Sequence, residues 1–150
     1  MNNLRMEAYN MSTTQTIERT TLTHLIYNED YCRKVIPFIK PIYYADRQER
    51  VVFEEIEKFL DKYNTLPTKE TLTIGVDNRK DINDEDYKKV VDIISSLDKK
   101  EVDLQWLHDE TEKFCKDKAI YNAVLDGISI IDGKDKNRTP EAIPSILSEA

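Results

Sequence analysis

Residues 104–133 read LQWLHDETEKFCKDKAIYNAVLDGISIIDG. The first half has the spacing of an ordinary amphipathic helix. The second half does not. From Ala119 to Ile131, nine of thirteen residues are apolar: Ala119, Ile120, Tyr121, Ala123, Val124, Leu125, Ile128, Ile130 and Ile131. At 100° per residue they fall on every side of a helix. A surface helix needs one apolar stripe, and a helix that is apolar all round is covered all round. A returning helix with Ile143, Ile146 and Leu147 covers one side. The rest is covered either by the preceding helices folding back or by a second copy of the chain.

Upstream, the same periodicity marks shorter helices. Ile17, Thr21, Leu22, Leu25 and Ile26 share a face from Thr16 onward. Asn28 caps a second helix carrying Tyr31, Cys32, Val35, Ile36 and Ile39, which Pro37 and Pro41 bound. Asp46 and Glu49 have the spacing of a capping box at the head of a third helix. Its stripe is Val52, Phe53, Ile56, Phe59, Leu60 and Tyr63, stopped by NTLP at 64–67. Thr68 caps a short segment bearing Leu72 and Val76. Asn83, followed by Asp84, Glu85 and Asp86, opens a further helix with Tyr87, Val90, Val91, Ile94 and Leu97 inward. After the loop GKDKNR (133–138), Thr139-Pro140 or Ile143-Pro144 starts a last helix. The fold class is therefore all-α: a helical head over 15–103, a long-helix hairpin over 104–150, and a loose polar tail over 1–14. The last stripe, Ile146, Leu147 and Ala150, has no stop signal, so the hairpin is expected to continue past Ala150.

Composition narrows the function. The 150 residues carry a formal charge of -7. The basic residues are scattered among acids, as in CKDK, which disfavours gripping a nucleic-acid backbone. No stretch has the pattern of a signal peptide or a membrane span. A cytoplasmic protein with reduced thiols is expected, and Cys32 and Cys115 sit on apolar stripes as small core residues. The three glycines, Gly75, Gly127 and Gly133, cannot form the phosphate-cradling G-x-x-x-x-G-K-[ST] loop. His108 and Glu112 share a helix face but fall short of a zinc ligand set. The acidic loops at 77–86 and 132–137 lack the calcium-loop pattern. Carboxylate pairs such as Glu54-Glu55 and Asp109-Glu110 fall on polar faces, where pairs like Glu112 and Lys116 at i,i+4 explain them. No catalytic, cofactor-binding or metal-ligating residue is expected here.

The order of elements, with LTHLIYNEDYCRKVIPFI (22–39), WLHDETEKF (106–114), AIYNA (119–123) and EAIPSILSEA (141–150), resembles the N-terminal domain of the DnaB-type hexameric replicative DNA helicases. Within that family it is most similar to the helicases of T-even-type phages, also called primase-helicase subunits. The resemblance covers about residues 17–150. W-L-x-x-E-T-E-K and A-I-P are its most specific pieces. It extends through Tyr43, Tyr44, Val52-Phe53, Ile56 and the Leu66-Pro67 turn. It implies a non-motor collar domain whose hairpins pair between subunits of a hexamer and which contacts primase and a helicase loader in the infected host cell's cytoplasm. ATP and magnesium would belong to a motor domain downstream, so no such residues carry over. The residues implied at the subunit interface are Tyr121, Val124, Leu125, Ile128, Ile131, Ile143, Ile146 and Leu147. A free-standing helical adaptor, such as a loader or a host-protein binder, is the alternative.

Overall fold

The computed structural model describes residues 16–150, and all regular structure among them is helical. The expected tail over 1–14 lies outside the described residues. The helices are α1 (16–27), α2 (Glu29–Val35), α3 (Arg47–Tyr63), α4 (Lys69–Asp77), α5 (Asp84–Ser96), α6 (Leu104–Ile131) and α7 (Ile143–Glu149), with single 3-10 turns at Pro41–Tyr43 and Pro140–Ala142. The chain divides into two compact units, the first ending at Thr111 and the second running from Glu112 to Ala150. That division falls within α6.

Each start in the first unit has a local cause. The Asn28 side chain accepts the Tyr31 amide, and Asn83 accepts that of Asp86. Thr68 and Thr71 cap α4 reciprocally, each hydroxyl accepting the other's backbone N–H. At α3 the expected box does not form. Asp46 accepts the amide of Gln48, and Glu49 turns inward, only 4% exposed. The pairing lost there is replaced by a 3.7 Å contact with the partly exposed Arg19. α3 ends where Asn64 takes a left-handed conformation at φ 52°, tolerable for asparagine and held by two Arg33 hydrogen bonds.

The core of this unit gathers Leu22 and Leu25 of α1, Tyr31 and Cys32 of α2, Val52, Phe53 and Ile56 of α3, Leu72 and Val76 of α4, Val90 and Ile94 of α5, and Leu107 of α6. α3 packs on both α4 and α5. The expected stripes are mostly buried, with two shifts. Tyr63 is exposed in the last turn of α3, and Ile93 is buried where the stripe named Val91. α1 departs further, because 21–26 are six consecutive buried residues. Its two buried threonines are satisfied: Thr21 donates to the Glu18 carbonyl (2.7 Å) and pairs with the Tyr44 hydroxyl (2.8 Å), while Thr23 donates to the Arg19 carbonyl. Tyr27 donates to the Leu97 carbonyl, tying α1 to the end of α5.

Candidate interaction surface

In the second unit, α6 ends in a Schellman motif. Gly133 sits at φ +73°, its amide donates to the Ile130 carbonyl, and the Lys134 amide donates to that of Ser129. A side chain at that φ is strained, so glycine fixes the reversal. Asp135 then folds the loop over itself. It accepts the amides of Asn137 and Arg138 and pairs with the Arg138 guanidinium, and these hydrogen bonds hold its carboxyl below the usual range. The chain thus returns so that Ile143, in the first turn of α7, lies against Gly127; a Cβ at that glycine would be 3.8 Å from Ile143.

Small residues make that approach possible. Ala119, Ala123 and Gly127 recur every four residues on one side of α6, and Ala123, Gly127 and Ile130 are buried there. The opposite side is different. Ile120, Tyr121, Val124, Leu125, Ile128 and Ile131 are each 45–70% exposed. They span an arc of roughly 140° on the helix. Leu147 of α7 is exposed as well. Asp126 is the only charged residue between Ala119 and Ile131, and Arg138 lies 3.5 Å from it. Within 119–131 the exposed arc therefore has no charged residue of its own. A Lys118 ammonium sits over the Tyr121 ring, 5.7 Å from its centroid.

Of the residues expected at the interface, Tyr121, Val124, Leu125, Ile128, Ile131 and Leu147 are exposed, whereas Ile143 and Ile146 are half-buried. Ile120 was absent from that set although its helical angle puts it on the same arc, a signal the spacing contained. An uncharged apolar arc of this size is the kind of surface that marks an association site.

The other candidates have ordinary surroundings. His24 is buried, its ring edge-on to Tyr31, and burial lowers its pKa from 6.5. His108 also packs on Tyr31, ring centroids 5.5 Å apart. Burial pushes the thiols of Cys32 and Cys115 up to about 11, which leaves them protonated and poor nucleophiles at neutral pH. Glu112 and Lys116 form the expected i,i+4 pair at 2.8 Å. Among the described residues, no group of three or more His, Cys, Asp or Glu is placed to hold a metal, and no helix is long and apolar enough to cross a membrane.

No family model matches the chain. It is similar to a curated protein of Enterobacteria phage T4 described as "DnaB-like replicative helicase", at 28% identity over 137 residues. The match takes in 86% of this chain and 29% of that protein, so the chain spans less than a third of the relative's length and is related to a DnaB-like helicase over that part.

Proposed function

We propose that this chain is the assembly module of a phage replicative DNA helicase, in which the exposed arc of α6, with Leu147 of α7, pairs with the same arc of a second copy. The observation that carries this reading is the arc itself. Six large apolar side chains stand in water on an arc that holds no charged residue between Ala119 and Ile131. Completing their burial contributes about 1 kcal/mol each. The same patch on both partners makes a two-fold pair, the commonest closed arrangement of identical chains. The similarity to a DnaB-like replicative helicase supports the context. In that context paired modules build a hexameric collar, and primase or a helicase loader docks on it. A chain of net charge -7 suits protein partners better than a nucleic-acid backbone. The unwinding activity, with its ATP and magnesium, is assigned to the part of such a helicase that this chain does not span.

The test is sedimentation of the chain across concentration, alone and with Val124→Asp and Ile128→Asp. The unaltered chain is expected to form dimers or larger species. Each Asp puts an unpaired charge into the interface and weakens it roughly hundredfold. Both positions are exposed in the single chain, so helicity by circular dichroism should not change. A chain that stays monomeric at every concentration, or variants that associate as the parent does, would overturn the pairing.

A further inference from the structure

α1, α3 and α5 meet at a charged cluster that the assembly reading does not use. Glu18 on α1 and Glu49 on α3 are both buried, 2% and 4% exposed. The cation beside Glu49 is Arg19. Its Nη2 lies 3.7 Å from Glu49 Oε1, and its Nη1 donates to Ser96 Oγ of α5 at 3.1 Å. Glu49 Oε2 and Arg19 Nε are buried without a hydrogen-bond partner. A buried carboxylate whose single cation is itself partly exposed at 3.7 Å, and whose other oxygen is unserved, is incompletely stabilised as an anion. Beside it opens a hollow of about 350 Å³ lined by Arg19, Asp46, Gln48, Lys89, Asp92 and Ser96.

We propose that Glu49 is a proton-operated latch between α1 and α3: protonated, it stays packed in the junction; ionised, it turns toward the neighbouring hollow, where solvent serves it and Lys89, now 3.6 Å from Glu85, can be drawn over, and α1 loosens. The charged groups set around it are Glu18 and Arg19 from α1, Asp46 on its own helix, and Lys89 and Asp92 across the hollow on α5. Asp86 of α5 is already engaged by Arg47 and by Gln48. Burial, aided by repulsion from Glu18 and Asp46 and opposed by Arg19, raises the Glu49 carboxyl to about 7. A carboxyl raised on folding takes up a proton as the chain folds, so its contribution grows as pH falls through neutrality and levels off near the ordinary value of 4.5.

The experiment follows the Glu49 side-chain carboxyl and the α1 and α5 amides by NMR from pH 8 to 5, beside urea unfolding of the parent and Glu49→Gln. The expected carboxyl midpoint is near 7, with amides of both helices titrating in step. Relative to Glu49→Gln, the parent's folding constant should rise roughly 50- to 100-fold over that range. A carboxyl that titrates between 4 and 5, amides that ignore it, or the same pH profile in the Gln variant overturns the latch. Should Glu49→Gln not fold, the titrations of the parent decide alone.

Discussion

At the residue scale, ordinary rules change sign where burial intervenes. Gly75 lies inside α4, where alanine would normally gain about 1 kcal/mol. Here a Cβ would strike Glu55 Oε2. Glu55 is 5% exposed and is held by Arg79 at 3.1 Å, while Arg79 also binds Glu54 and Asp81. Gly75→Ala must push Glu55 off its cation, so it is expected to destabilise by about 1–2 kcal/mol. In a Glu55→Ala background the obstacle is gone and the same change should stabilise. Urea unfolding of the four proteins reads that reversal as a coupling between the two sites. Tyr31 offers a simpler case. Its hydroxyl meets Thr111 Oγ1 at 2.6 Å in the core, and Thr111 also donates to the Leu107 carbonyl. Tyr31→Phe should cost about 1 kcal/mol and leave the fold intact. His24 runs against Glu49 in pH. Its pKa is depressed by burial, so the unfolded chain protonates first and stability is lost as pH falls below 6.5. His24→Gln should remove that acid-side loss from the unfolding profile.

At the element scale, caps and stripes were readable because they are local, and burial was not because it is decided by neighbours. Asn28, Thr68 and Asn83 cap as their sequence positions imply. The short α4 depends on its cap, and Thr68→Ala should cost about 1 kcal/mol in unfolding free energy. The Asp46–Glu49 pair matched the same pattern and failed, since a charge on α1 captured the glutamate. The two helices with unusual faces exchanged roles. α1, with Thr21, Thr23 and His24 between its apolar residues, reads as one-sided and is buried on every side of 21–26. Hydrogen bonds from Thr21 and Thr23 to carbonyls one turn back hide those hydroxyls, and hydropathy does not register them. The end of α6 reads as apolar all round, yet one arc is exposed. Its buried side is recognisable in retrospect by Ala119, Ala123 and Gly127, because only small residues admit Ile143 so near the helix axis.

At the scale of the whole molecule, the two units differ in how much protects them. α3 buries Val51, Val52, Phe53, Glu55 and Ile56 within six residues, whereas α7 has no buried residue. Local opening costs follow that burial. In dilute protein, α7 amides should exchange with solvent far faster than those in the middle of α3, and measured protection should fall from α3 to α7. Pairing through the α6 arc adds a second dependence. Dimers stabilise by mass action, so protection rises with concentration only where the partner covers or braces the chain. Hydrogen exchange at low and high protein concentration should therefore leave α3 and α5 unchanged and slow the amides of 119–131 and 143–149. With Ile128→Asp the concentration dependence should vanish while the α3 pattern persists. A uniform rise across both units would place the contact somewhere other than the arc. No rise anywhere would mean that Ile120, Tyr121, Val124, Leu125, Ile128 and Ile131 remain in water, and the reading of that face as half of an interface would fail.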